Sequence, residues 1–192
     1  TVPFVGAWGS ARKIAEELGY RFRVPKNQPR NPANTPRPGL EQAVVDYLEG
    51  QGSIEAIREA GGDIIFPEDP ENAREIGEIG MIHTGTEQGP DGGETPIDAV
   101  RFFRSIRLTE DCLTCHGDPK GAKDLLGFTM EGWRAGEVHG TFEIISPLEE
   151  LRGDIRAMIW YTIMLGTVVF AGAGAIFYVA MNRIVTSPVT RM

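Results

Sequence analysis

Residues 99–108 read AVRFFRSIRL, and after three further residues, positions 112–116 read CLTCH. Apolar side chains alternate through most of the first segment, which predicts a β-strand. The predicted inward face carries Val100, Phe102, Ile106 and Leu108. The strand leads into two cysteines and a histidine, so the fold of this region sets the position of any chemistry that the cysteines perform.

Around this strand, the pattern predicts helices first and a small sheet afterwards. Apolar spacing favours helices over 4–22, 40–48 and 54–60, and short alternating segments favour strands over 64–66, 79–86 and 138–145. The inward residues of the last strand are expected to be Val138, Phe142 and Ile144. These elements predict an α+β fold of the sensor-like type, with a small antiparallel sheet and N-terminal helices.

Composition excludes some functions. The chain has 192 residues, of which 41% are hydrophobic and 24% are charged, as in an ordinary folded protein. Its formal net charge of -8 argues against a nucleic-acid partner, because phosphate binding requires a basic face. The sequence shows no Ser/His/Asp set, paired-carboxylate motif or phosphate loop, so we expect no catalytic residues and no enzyme.

A long uncharged segment lies near the carboxyl end, between Arg156 and Arg183. A helix needs about 20 apolar residues to cross the hydrocarbon layer, and a buried core helix is usually shorter. We therefore predict a membrane-spanning helix over 151–182, preceded by an extracytoplasmic domain over 1–150. Small residues at 171–175 favour close approach of a second helix, and hence a homodimer or a place in a membrane complex.

The Cys112–His116 segment has the Cys-x-x-Cys-His pattern of c-type haem attachment. Two intervening residues place both sulfurs on one helical turn, at the separation of the two porphyrin vinyl groups. The adjacent His116 then becomes the axial iron ligand. The pattern predicts one covalently bound haem c, held by Cys112 and Cys115.

Three other roles compete for these cysteines. A thioredoxin-like redox pair needs a strand–helix context near the chain start and no following histidine. A structural zinc site needs about four ligands, and beyond the motif the chain offers only His83 and His139. A disulfide between Cys112 and Cys115 closes a loop too small to stabilise much.

The second axial ligand is open between four residues, namely His83, His139, Met81 and Met130. His83 shares a strand face with Met81, where it is equally expected as an ordinary core histidine. His139 opens the last strand and lies close to the haem if that strand pairs antiparallel with 101–108. Candidates for haem propionate contacts are Arg101, Arg104 and Arg107, unless they form a solvated strand face.

Three segments resemble a known family: 30–36, 101–119 and 132–148. The resemblance is to the single-haem, c-type periplasmic sensor domains with a PAS-like fold, found in bacterial chemoreceptors and histidine kinases. Residues 182–189 look like the start of a HAMP linker. The resemblance therefore implies that the cytoplasmic start of such a linker lies over 183–192. Some relatives take the second axial ligand from a cysteine on the first helix; here that neighbourhood reads Ala7-Trp8, so the ligand must differ or the site must be open.

Together these features predict a membrane-anchored haem protein that senses redox state or a small gas and signals through its membrane helix. The alternative is a single-haem electron-transfer subunit with an electron donor and acceptor, anchored to a respiratory or photosynthetic complex. Covalent haem attachment occurs on the outer face of the cytoplasmic membrane. The expected location is therefore the bacterial inner membrane, with the haem domain in the periplasm and the carboxyl end, with Arg183 and Arg191, in the cytoplasm.

Overall fold

The computed structural model describes the backbone of residues 3–89 and 92–183 and divides the chain into two compact units, Thr1–Leu148 and Glu149–Met192. The helices of the first unit are α1 (Pro3–Glu17), α2 (Leu40–Leu48), α3 (Ile54–Glu59), α4 (Ala73–Ile76) and α5 (Leu113–His116). Its strands are β1 (Arg21–Arg23), β2 (Gly62–Phe66), β3 (Glu78–Gln88), β4 (Glu94–Arg107) and β5 (Val138–Pro147). The predicted α+β class is confirmed.

The five strands form one antiparallel sheet in the order β1-β5-β4-β3-β2. The predicted helix over 4–22 is too long, because α1 ends at Glu17 and the chain turns through Gly19 (φ 78) into β1. β4 is the central strand, and its end at Arg107 pairs with Val138 at the start of β5. Antiparallel pairing therefore brings the first residues of β5 beside the segment that leads to Cys112.

One face of the sheet packs against α2, α3 and α4. The buried apolar core there contains Leu40, Val44, Leu48, Ile54, Ile57, Ile79, Met81 and Phe103. Ser53 caps the short helix α3 by accepting a hydrogen bond from the Ala56 amide at 3.3 Å. This layer of helices packs on β3 and β4 and thereby fixes the position of the segment that follows β4 and leads to Cys112.

The predicted inward faces of β4 and β5 are wrong, except for Leu108, which follows β4 and is buried. On β4 the buried residues are Ile97, Ala99, Arg101 and Phe103, whereas Val100 and Phe102 are half-buried on the opposite face. On β5 the buried residues include Thr141, Glu143 and Ile145, and Ile144 is 43% exposed. The alternation misleads because Arg101 and Glu143 are paired in the core, while aromatic residues on the other face pack together, Phe142 against Trp8 and Phe22.

Helix α6 (Leu148–Met181) follows β5 directly in the chain. All of it except its first residue, Leu148, belongs to the second unit. Its segment Ile155–Met181 has a mean hydropathy of 2.0 and is 27 residues long. At 1.5 Å per residue it spans about 40 Å, which exceeds the roughly 30 Å of a bilayer core. It is long and apolar enough to cross a membrane. From residue 184 onward, the HAMP-like segment predicted over 183–192 lies outside the residues that the structure describes.

Candidate haem site

The Cys-x-x-Cys-His motif adopts a turn followed by one helical turn, Glu110–Cys112 and then α5. Cys112 and Cys115 are free, half-buried thiols. Side chains three and four positions apart are neighbours on a helix surface, so Cys115 and His116 both lie next to the position of Cys112. The chain leaves at Gly117, where a Cβ atom would lie only 2.7 Å from the Leu113 carbonyl oxygen. A glycine is needed there for the chain to turn away.

His116 is oriented by a carboxylate. Its Nδ1 lies 3.0 Å from Glu131 Oε2, and Arg30 Nε donates to Glu131 Oε1 at 2.6 Å. Burial alone would raise the pKa of Glu131, but hydrogen bonds from Arg30 and His116 outweigh it and lower that pKa. The ionised carboxylate accepts a hydrogen bond from the Nδ1–H group, and this leaves Nε2 as the nitrogen with the available lone pair, the arrangement that carboxylates give to histidines in metal sites.

Arg30 also ties the motif to the long loop that follows it. Its guanidinium donates to Asp124 Oδ2 at 2.8 Å, to the Cys115 carbonyl at 2.9 Å and to the Thr129 carbonyl at 3.0 Å. Asp124 in turn accepts the amides of Leu126 and Phe128 at 2.9 Å each. Arg30 therefore holds the loop between α5 and β5 against the motif, together with the Trp133 amide, which donates to the His116 carbonyl at 2.9 Å.

His139 lies beside His116. The two imidazole centroids are 4.4 Å apart, and the Trp133 ring is 5.1 Å from His139. Lys26 Nζ lies 2.7 Å from His139 Nε2. Burial, and then the charges of Lys26 and His116, lower the pKa of His139 to about 3, and burial lowers the pKa of Lys26 to about 8. His139 is thus a neutral imidazole, the form that binds iron.

The other predicted axial ligands lie elsewhere, except Met130. Met81 is fully buried in the core under α2, and His83 Nδ1 lies 3.1 Å from Arg101 Nη1. Met130 is buried in the loop and pairs through its backbone with Gly121 and Ala122. The structure therefore brings His139 and the Met130 loop to the motif, and places His83 and Met81 in the sheet core.

The three arginines predicted to contact propionates also occupy different surroundings. Arg101 is fully buried and donates to Glu143. It lies six residues before Arg107 on β4, a distance of about 20 Å along the strand. Arg104 is 66% exposed and pairs with Glu78 at 3.4 Å, while Arg107 donates to the Gly136 carbonyl at 3.3 Å. Of the three, Arg107 is the one beside the motif loop.

Sequence reasoning missed Lys26, Arg30 and Glu131 as site residues. Arg30 and Glu131 are 101 positions apart in the chain, so no local spacing links them. Arg30 opens one of the three segments that carry the family resemblance, and Glu131 directly precedes another. That was the one available signal, and it did not indicate which residue each would contact.

The donor set fits a covalent haem better than a bound metal ion. Within residues 3–89 and 92–183, no group of three or more His, Cys, Asp or Glu side chains is placed to hold a metal ion. Two free thiols on one turn, next to a histidine whose Nδ1 is already hydrogen-bonded, match the needs of thioether attachment and a single axial nitrogen. The neutral His139 lies beside His116 of the motif, and the aromatic Trp133 lies beside His139.

The fold and the site define a class of protein: an α+β domain with one Cys-x-x-Cys-His site, followed by a helix of membrane-spanning length. The chain belongs to the Tll0287-like family, whose model matches residues 2–147. Among solved structures it is similar to the crystal structure of the cyanobacterial haem protein Tll0287. The identity is 18% and the TM-score 0.46, over 77% of this chain and 73% of that one. No curated protein matches the chain in sequence.

Proposed function

We propose that this chain is a membrane-anchored c-type haem protein that senses redox state or a small gas. The observation that carries the proposal is the single turn that presents Cys112, Cys115 and His116 together, with His116 Nδ1 held by Glu131 at 3.0 Å. The two thiols would form thioethers with the haem vinyl groups, and His116 Nε2 would bind the iron. Membership of a family named after a haem protein supports this assignment.

A sensing role is supported by the position of His139. It lies on β5, the strand that continues directly into α6. A change in iron oxidation or ligation that alters the contacts of His139 would act on the strand attached to the membrane helix. Such a change signals only if it favours one of two conformations of the chain. We propose no catalytic residues and no enzyme activity.

The proposed location is the bacterial inner membrane, with the haem domain in the periplasm, one span in this chain and the carboxyl end in the cytoplasm. The apolar segment Ile155–Met181 supports the span, and the need for haem attachment outside the cytoplasm supports the orientation. Alternating Gly and Ala at 171–175 support a homodimer, because small residues let two membrane helices approach closely.

The test is covalent haem retention. The full chain, produced with a working haem-maturation system, should keep peroxidase stain on a denaturing gel. Cys112→Ser combined with Cys115→Ser should lose the stain, whereas Thr114→Ser, between the two cysteines, should keep it. Wild-type protein without stain would overturn the proposal.

The stimulus is tested next, by absorption spectra of the reduced protein with and without carbon monoxide. A spectral shift with carbon monoxide supports gas sensing. A spectrum that carbon monoxide does not change supports a redox signal, or the alternative electron-transfer role with a protein donor and acceptor.

A further inference from the structure

A buried hydrogen-bond donor lies beside the motif without an acceptor. Trp133 Nε1 is buried, and among the residues that the structure describes it has no hydrogen-bond partner. An indole N–H can only donate, and a buried donor that is left unpaired costs free energy. Nearly all buried polar groups in folded proteins are paired, so this N–H indicates an acceptor that the chain itself does not supply.

Lys26 is a second donor at the same place. Its Nζ lies 2.7 Å from Nε2 and 3.2 Å from Nδ1 of His139, and 5.5 Å from the centroid of the Trp133 ring. An ammonium group has three N–H bonds, yet within residues 3–89 and 92–183 the His139 ring is the only acceptor that Nζ contacts. Iron bound at Nε2 of His139 would use that acceptor and leave Lys26 without one.

The carboxylates near these two donors are already hydrogen-bonded to other residues. Both oxygens of Glu131 accept from the Arg30 guanidinium, at 2.6 Å and 2.8 Å. Glu49 is the other carboxylate whose charge attracts Lys26, and it accepts from the Asn27 amide group at 3.0 Å. Neither carboxylate forms an ion pair with Lys26 in the part of the chain that the structure describes. Both donors are therefore available to an acceptor from outside the chain.

The backbone fixes both donors next to the motif. The Trp133 amide donates to the His116 carbonyl at 2.9 Å, and the Lys26 amide donates to the Asn34 carbonyl at 2.9 Å. Gly140 of β5 passes so close that a Cβ atom there would lie 3.0 Å from Lys26 Cβ. The two side chains thus start from backbone positions that are held in place, as a binding site for a fixed group requires.

We propose that Trp133 Nε1 and Lys26 Nζ bind one propionate of the haem, both donating hydrogen bonds to its carboxylate. The inference rests on the proposed haem attachment at Cys112 and Cys115. The propionates are the carboxylates that the cofactor brings, and hydrogen bonds to an ionised acceptor are stronger than those between neutral groups. The rival donor is Arg107, whose guanidinium already donates to two backbone carbonyls.

Resonance Raman spectra of the haem-loaded full chain in detergent test this contact, because the propionate bending band shifts to lower frequency when the carboxylate loses a hydrogen bond. Trp133→Phe keeps an aromatic ring but removes the N–H, and it should shift the band in this way. Lys26→Met should do the same. The matched controls are Trp8→Phe, on α1, and Lys123→Met, in the loop after the motif, and both should leave the band unchanged.

An unchanged band in either Trp133→Phe or Lys26→Met would overturn the two-donor arrangement. A band that moves only in Arg107→Gln would overturn it as well and would assign the propionate to Arg107.

A direct measurement covers the case in which a variant does not fold. A crystal structure of the wild-type haem-loaded protein should show a propionate oxygen within hydrogen-bond distance of Trp133 Nε1, whereas an ordered water alone at this position would contradict the proposal. Failure of the haem assignment is recognised separately, since wild-type protein would then carry no peroxidase stain. Failure of the propionate contact would be seen in protein that does carry the stain.

Discussion

At the residue scale, the site depends on charged and polar contacts between distant parts of the chain. His116 ends α5, His139 begins β5, and their rings lie 4.4 Å apart. Arg30 comes from the extended segment before α2 and holds both Glu131 and the Cys115 carbonyl. A histidine, its carboxylate and the arginine that anchors the carboxylate form a chain of hydrogen bonds, so each residue fixes the orientation of the next.

The placement of the two histidines predicts which one affects the iron. His139→Ala should convert low-spin haem to high-spin haem, because it removes the imidazole beside the motif. His83→Ala is the matched control and should leave the spectrum nearly unchanged, because His83 lies with Arg101 in the sheet core. Absorption and electron paramagnetic resonance spectra measure the change. The reverse pattern, or a response only to Met130→Ala, would rule out His139.

Glu131 is expected to tune the haem potential. Glu131→Gln should raise the reduction potential, since a neutral amide gives less electron density to His116 than a carboxylate and favours the ferric state less. Spectroelectrochemical titration measures the midpoint. Glu137→Gln, in the same loop but bonded to the Arg134 amide, should not shift it. Equal potentials in wild type and Glu131→Gln would show that the hydrogen bond is absent once haem is bound.

At the element scale, β4 aligns its two neighbouring strands, because it is hydrogen-bonded to β3 on one edge and to β5 on the other. Met81 of β3 and Ile145 of β5 both lie opposite Arg101. A register shift between Ser105 and Arg107 lets β5 begin beside the end of β4. The same strand separates two faces: one packs under the helices, and the other carries half-buried aromatic residues such as Phe102, 6.2 Å from Phe66.

These two faces differ in what they contribute to stability. Phe103→Ala should lower the free energy of unfolding by about 3–5 kcal/mol, the usual cost of removing a fully buried phenylalanine. Phe102→Ala should cost clearly less, since its ring is half-buried on the opposite face. Urea unfolding monitored by circular dichroism compares the two variants. A larger loss of stability for Phe102→Ala would mean that the face of β4 with Phe102 is the buried one, as the alternation predicted.

At the scale of the whole molecule, the first unit encloses an ionic network as well as an apolar core. Glu143 is fully buried and accepts from Arg101, while Glu41 accepts from Arg23 at 2.7 Å. Burial would raise the pKa of Glu41, but hydrogen bonds from Glu143 and Arg23, with the Arg23 charge, hold it below its usual value. The two carboxyl groups thus have pKa values that the fold moves apart, and global stability becomes dependent on pH.

The sign of that dependence follows from Glu143. Its pKa is about 8 in the folded chain and about 4.5 when unfolded, so the folded state binds the extra proton between these values. The unfolding midpoint should therefore fall as pH rises from 5 to 8. Glu143→Gln keeps an amide donor towards Glu41 and should flatten this slope, whereas exposed Glu94→Gln should not. Identical slopes in wild type and Glu143→Gln would contradict the assignment.

The sequence alone determined the features that depend on neighbouring residues. The Cys112–His116 spacing predicted the attachment motif, because a haem thioether site is built within one helical turn. The uncharged segment near the carboxyl end predicted a helix of membrane length, which α6 confirms. Apolar periodicity located α2, α3 and the three long strands, since helix and strand repeats are local properties.

Only the tertiary structure decided which face of β4 is buried and which histidine approaches the motif. Arg101 and Glu143 have ionisable side chains, which are usually expected to face solvent, yet Arg101 donates a hydrogen bond to Glu143 across the β4–β5 pair and both are buried. The approach of His139 to His116 depends on strand register, and Glu131 reaches its partner Arg30 across 101 positions. Such pairings depend on contacts distant in sequence, so composition and local spacing carry no information about them.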